Sequence, residues 1–286
     1  MSSRCGWFVG LATLDVIQRV ERLPLRNEKL VAQRSWLAAG GPAAVAAITF
    51  AKLGGRAVLW TALGAGAAAA AVRDDLSTAG VEVRDAAPPG FELAVSTAFV
   101  DVATGERAVI SGSGRTPRFA KIAGPELSGV SVVLIDGHHP PLARSVALAA
   151  KGTGVSVVVD AGSAKPVFDE VFPLASDVIC SADYVDPARL QPQELLGAGP
   201  ELVAVSHGGG DLEWWTATAT GRVSPEPVRV LDTLGAGDVL HGAYCFALAS
   251  GQRRPDALAF AVHTATERVR HLGPFAWRDA LSGRVG

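Results

Sequence analysis

Eight consecutive residues, Leu231-Asp232-Thr233-Leu234-Gly235-Ala236-Gly237-Asp238, hold the residue types needed to move an anionic group onto a hydroxyl. Glycines at a helix start let backbone amides crowd toward an anion without interference from Cβ. Free N–H groups and the positive end of the helix dipole then make a cradle for a phosphate or an oxyanion. The expected donors are the amides of Gly235, Ala236 and Gly237. Asp238 falls in the first helical turn beside them, where a carboxylate can take a proton from an attacking hydroxyl. An anion hole and a base on one turn are what phosphoryl transfer to an alcohol requires. The dipole is expected to lower the pKa of Asp238 and keep it ionised. A purely electrostatic cap is the plainer alternative for this aspartate.

These residues must be held by the elements around them. Val228–Leu231, behind Pro225 and Pro227, reads as a short strand, and an apolar helix follows over 239–250. Strand-like runs alternate with helix-like ones along the rest of the chain. Strands are expected at 7–11, 57–62, 131–136, 155–160, 177–180 and 202–206, and helices at 43–52, 67–79, 143–150 and 255–270. Such alternation, with near-continuous Val, Ile and Leu in the strands, means an α/β fold with a mostly parallel sheet covered on both faces. Ligands in such sheets sit beyond the carboxyl ends of the strands, where Asp136, Asp160, Ser206 and Asp232 are expected. Asp74 and Asp75 belong to the polar side of the 67–79 helix. Two stretches, about 16–37 and 91–113, show shorter alternating patterns that read as antiparallel strands.

A chain of 286 residues, 49% hydrophobic, suits one large α/β domain, taken here as residues 1–286. A net charge of −2 without a long basic run argues against nucleic acid as a partner. No uninterrupted apolar stretch is long enough to span a membrane, and the first residues lack the layout of a signal peptide. Cys5, Cys180 and Cys245 have no paired spacing, which fits a reducing cytoplasm. Neighbouring His138-His139 point apart on extended backbone, so a substrate-facing loop is favoured over a metal site there.

The run Asp232-Thr233-x-Gly235-Ala236-Gly237-Asp238 resembles the C-terminal motif of the ribokinase-like (PfkB) carbohydrate kinases. Val9-Gly10-Leu11 with Asp15, and Gly40-Gly41-Pro42-Ala43-Ala44 with Leu53-Gly54, are similar to the family's first strand and Gly-Gly motif. Within the family, Val9–Ile17 and Val230–Asp238 look most like ketohexokinases. Gly40–Ala44 and Asp238–Ala243 look more like sulfofructose kinases. The resemblance covers nearly the whole chain and implies a three-layer α/β/α fold with a β lid made by the two antiparallel stretches. It also implies a homodimer through that lid, and a kinase that uses ATP and Mg²⁺ on a small, ketose-like sugar.

By the same resemblance, Asp15, Gly40 and Gly41 are sugar-binding candidates, the bare glycines admitting the sugar to backbone amides. Ser206, Gly208 and Gly210 correspond to the family's nucleotide loop. Asp232 and Thr233 lie where the family holds nucleotide and a monovalent cation such as K⁺, with ordinary turn chemistry as the alternative. Lys165 is a candidate for the ATP phosphates, or a solvated lysine, and Arg115 for closing the lid over an anion. The chain departs from the family at three places: Val45 replaces an asparagine, Asp211 a glycine, and Ser181-Ala182-Asp183-Tyr184 a motif that organises magnesium through water.

Two other readings compete. Gly64-Ala65-Gly66-Ala67-Ala68-Ala69, with Glu82 further on, fits a dinucleotide-binding fingerprint and would make the chain an NAD-dependent dehydrogenase. It leaves residues 232–238 unexplained. Val45 and Asp211 suggest instead a sugar- or nucleotide-binding relative without turnover.

Overall fold

The computed structural model describes residues 4–112, 119, 125–184, 188 and 190–282. Arg115 lies outside them. In chain order the first elements are β1 (Cys5–Val9), β2 (Thr13–Val20), β3 (Arg34–Gly40), α1 (Pro42–Lys52), β4 (Arg56–Thr61), α2 (Ala67–Thr78) and β5 (Val81–Asp85). Then come β6 (Val95–Asp101), β7 (Arg107–Ser111), β8 (Val132–Ile135), α3 (Pro140–Ala150), β9 (Ser156–Ala161) and α4 (Phe168–Val171). The chain continues through β10 (Asp177–Ser181), β11 (Leu202–Ser206), β12 (Leu212–Thr216) and β13 (Thr220–Val223), and closes with α5 (Ala236–Ala249), α6 (Arg254–Val269) and α7 (Ala276–Ser282).

Among the described residues a nine-stranded sheet runs in the order β13-β12-β11-β10-β9-β8-β1-β4-β5. It is parallel from β5 through β11, and β12 and β13 add an antiparallel edge. The two-residue period of the strands sorts side chains into two cores. Phe8, Leu134, Val158 and Ala204 face α1, α5 and α6, while Val9, Ile135, Val159 and Val205 face α3 and α4. Both faces are therefore buried, which explains why the strands are continuously apolar.

The smaller sheet is ordered β3-β2-β6-β7. Its β2–β6 pairing is parallel, a correction to the expectation of antiparallel strands throughout. Helices begin earlier than the periodicity suggests, at Pro42, Pro140 and Arg254. Proline, which has no N–H to lose, is favoured in the first turn. Asp75 is a further correction. It accepts the Ala39 amide (2.7 Å) and pairs with Arg278 (2.5 Å), tying α2 to β3 and α7 rather than facing water.

The expected strand at 228–231 does not form. The amides of Leu231 and Asp232 donate instead to the carbonyl of Val269 at the end of α6, at 2.8 and 3.4 Å. Asp232 thus hangs from a helix end and not from a sheet.

Candidate active site

The loop entering α5 is built from behind by a buried ion pair. Asp232, 1% exposed, receives Leu234 N on one oxygen (2.9 Å) and Gly273 N on the other (3.0 Å). Arg268 of α6 meets the same carboxylate at 3.2 Å and donates to the Asp232 carbonyl at 3.3 Å. Through these contacts Asp232 positions the loop that enters α5. From the other side the lid hairpin docks on the loop: the Gly105 carbonyl accepts both the amide and the hydroxyl of Thr233, each at 3.0 Å. Leu234 packs with Ile17, Ala38 and Ala98 in the lid's small core.

Gly235 then adopts a left-handed conformation (φ 75°) and caps α5. A residue with Cβ would be strained in that conformation. Among the described residues, the amides of Gly235, Gly237 and Asp238 donate to no protein acceptor, whereas Ala236 N is taken by the Thr233 carbonyl at 3.2 Å. The free donors are thus those of 235, 237 and 238, a correction to the expected trio. Val45 lies against this turn, its Cγ1 3.6 Å from where a Cβ on Gly235 would sit.

Asp238 does not behave as the dipole alone would dictate. Burial raises its pKa to about 7, with Asp160 and Asp15 adding to the rise and His241 and Arg107 opposing it. Desolvation and like charge outweigh the helix end, so the carboxyl is poised near neutrality, where a general base works best.

Asp15 lies on β2, opposite Ala38 of β3 and Ser96 of β6. The Thr13 hydroxyl donates to it at 2.7 Å, while burial raises its pKa. A Cβ on Gly40 would stand 2.0 Å from its carboxylate. The bare Gly40 therefore makes room for Asp15. Gly41 (φ 93°) makes the same kind of room for the Leu11 carbonyl, 2.5 Å from its hypothetical Cβ. Sequence reasoning placed Asp136 only at a strand end, yet it is the hub of this corner. It accepts amides from Leu11 (2.8 Å), His138 (2.9 Å) and Ala43 (3.2 Å), and Gly10 leaves it the space. Burial pushes its pKa up, but His138 and these amides prevail and hold it well below the usual carboxylate range.

A cavity of about 540 Å³ leads to the α5 turn. Ser206, Gly208 and Gly210 line it from the β11–β12 turn, and Thr233, Ala236 and Gly237 line its inner end. Sequence reasoning missed its apolar wall, made by Val228 and Val230 with Val262 and Val269 of α6. Helix periodicity alone does not say which face of α6 meets a ligand. Arg107 of β7 also lines it, a lid residue brought there only by tertiary docking. Lys165 does not. Its ammonium contacts Ser163 (3.2 Å to Oγ) and lies over the Phe168 ring. Asp183 and Glu226 offer carboxylates to the cavity, and no group of three or more metal-binding side chains occurs among the described residues. That donor set suits an ion held chiefly by phosphates and water. Asp211 pairs with Arg222 at 3.6 Å on the outer hairpin and does not line the cavity.

The dehydrogenase fingerprint is spent on the protein itself. Leu63 N and Gly64 N donate to Asp85 at 2.9 and 3.2 Å, Arg73 also pairs with Asp85, and Glu82 pairs with Arg56.

Comparison with known proteins identifies this arrangement. A family model described as pfkB family carbohydrate kinase matches residues 7–277. A ribokinase of Bacillus subtilis is 23% identical over 279 residues, covering 93% of this chain and 92% of that protein. The crystal structure of ribokinase from Thermotoga maritima superposes with a TM-score of 0.80 at 21% identity, covering 98% of each chain. That of Arabidopsis thaliana ribokinase with ribose and ATP gives 0.77 at 22% identity, again over 98% of each. None of these three is a ketohexokinase or a sulfofructose kinase, so they support the family without selecting that branch.

Proposed function

The chain belongs to the pfkB family of carbohydrate kinases, and we propose that it transfers the γ-phosphoryl of ATP to a hydroxyl of a small, ketose-like carbohydrate. The observation that carries this reading is the α5 turn, where among the described residues three amides take no protein acceptor beside a carboxyl near neutrality, and where Gly237 lines a 540 Å³ cavity. ATP lies with its base along the apolar wall of α6 and its phosphates toward Gly237. The sugar sits under the lid, held by Asp15. Its hydroxyl oxygen attacks the γ-phosphorus as Asp238 Oδ takes the proton, and the bond to the bridging oxygen breaks to release ADP. The amides of 235, 237 and 238 face the equatorial charge of the transferring group, where oriented donors in a water-poor site are most effective. Magnesium neutralises phosphate charge when bound, and Asp183 and Glu226 are the carboxylates placed to hold its waters.

The whole chain acts as one kinase domain with the lid over the sugar. The outer lid leaves Leu37, Val109 and Ile110 exposed (59%, 47% and 69%), an apolar patch that supports a homodimer through this face. Ile110→Asp should convert that dimer to monomer in analytical ultracentrifugation. No helix among the described residues is long and apolar enough to cross a membrane, and the three cysteines are buried thiols, in keeping with a cytoplasmic enzyme. Coupled ADP release across sugars and nucleosides tests the activity. Binding of sugar and ATP without ADP release would make the chain a non-catalytic relative.

A further inference from the structure

We infer that the Arg268 guanidinium stands where the family resemblance calls for a monovalent cation, so that the loop entering α5 is held in its working shape without K⁺. The inference rests on the kinase reading for its activity readout alone. The resemblance places such a cation beside Asp232 and Thr233, and cations of that kind are held by carboxylate and carbonyl oxygens in place of water. Those oxygens converge here on a side chain. One terminal nitrogen of Arg268 lies 3.2 Å from Asp232 Oδ2, and the other donates to the carbonyls of His271 (2.9 Å) and Asp232 (3.3 Å). The guanidinium carbon lies 5.9 Å from the ring centroid of the buried Trp277, a further partner for positive charge. Arg268 sits in the last turn of α6, whose backbone end is itself partly negative. The residues present therefore do not fit an added ion.

A buried ion pair can do no more than hold two elements together. This one differs in where its charge acts. Arg268 is 2% exposed and Asp232 1%, so water screens the pair little. Asp232 receives the Leu234 amide, and Gly235, the cap of α5, follows directly. Burial lowers the Arg268 pKa, Asp232 opposes that fall and Asp238 adds to the opposition, so the guanidinium and the general base feel each other. An arginine keeps its charge across the physiological range. Being tethered to α6, it fills the place without drawing an ion from solution. A K⁺ added beside it would meet like charge in a desolvated corner. Thr233 is engaged elsewhere, its amide and hydroxyl both turned to the Gly105 carbonyl of the lid. Arg268 acts through the loop, as a positioning residue.

The test compares K⁺ with tetramethylammonium at fixed ionic strength, using the intact protein. Melting temperature, calorimetric affinity for a non-hydrolysable ATP analogue and ADP release are read in each salt. The native protein should give the same values in both. Arg268→Ala leaves Asp232 and the two carbonyls without their cation, and should bind the analogue about tenfold more weakly in tetramethylammonium than in K⁺. Its melting temperature should rise with K⁺ concentration, since only the folded state assembles those oxygens. Guanidinium, far below the concentrations that unfold proteins, should substitute for K⁺. Arg268→Lys, which keeps a positive charge, should stay insensitive to the choice of salt. A native protein that gains affinity, stability or turnover from K⁺ overturns the inference, and that result needs no variant to fold. So does an Arg268→Ala protein whose losses are the same in both salts, the mark of a purely structural arginine. If the salt responses are as expected while no sugar or nucleoside yields ADP, the inference stands and the kinase reading falls.

Discussion

Gly64-Ala65-Gly66 before α2 and Gly235-Ala236-Gly237 at the start of α5 share a spelling, and each places a positive-φ glycine at a helix entrance. Their amides meet different fates. Before α2, Asp85 accepts from Leu63, Gly64 and Ala87, and Arg73 adds its charge, so the protein's own carboxylate fills the anion site. At α5 the Asp232 carboxylate is held behind the loop by Arg268, and among the described residues the amides of 235, 237 and 238 take no protein acceptor, with Gly237 lining the cavity. Glycine spacing creates the capacity to hold an anion. Which side chain arrives from elsewhere in the chain decides whether that capacity is used up.

Exchanging the fates of the two loops should separate chemistry from stability. Asp238→Ala removes the base and should lower kcat by about 10²–10⁴, with ATP and sugar affinity retained in calorimetry. A variant with near-native kcat would break the contrast. Gly237→Pro deletes one free amide at a first-turn position that tolerates proline, and should lower kcat by about 10² without unfolding the protein. Asp85→Ala should do the reverse, costing about 1–2 kcal/mol in denaturant unfolding by stranding the amides of residues 63 and 64, with kcat unchanged.

The pH response sharpens the same comparison. Asp238 must be ionised to accept a proton, so kcat/KM should rise about tenfold per pH unit up to about 7 and then level. A flat profile from pH 5 to 8 would count against Asp238 as the titrating base. The smallest effect is on stability. The folded pKa of Asp238 lies above its unfolded value, so its contribution is fully present below about 4 and is lost as pH rises through about 7. Asp238→Asn, which mimics the protonated form, should therefore raise Tm at pH 8 and leave it unchanged at pH 4. Equal Tm shifts at both values would contradict this.

Much of the fold was readable from residue order, because the strands bury both faces and must be apolar throughout. β11 matches its expected range of 202–206, and the other parallel strands of the alternating run differ only at their ends. Val228–Leu231 deceived for the same reason: an apolar run satisfies a helix end and a cavity wall as well as a sheet. Of the site, Gly235, Gly237 and Asp238 stood out by type and spacing, and Asp15 by the family resemblance alone. The pairing of Asp232 with Arg268 was not legible because a charged side chain's partner need not be a neighbour in sequence.

Local order by itself determined where the backbone could bend and which amides a helix start would leave unpaired, since those follow from Cβ sterics and the i to i−4 ladder. It could not determine the electrostatics. Asp238 lies near neutrality because Asp160, Asp15, Arg107 and His241 converge on it from β9, β2, β7 and α5 in a partly desolvated corner. Field strength depends on distance through space and on water excluded, and both are properties of the folded chain alone.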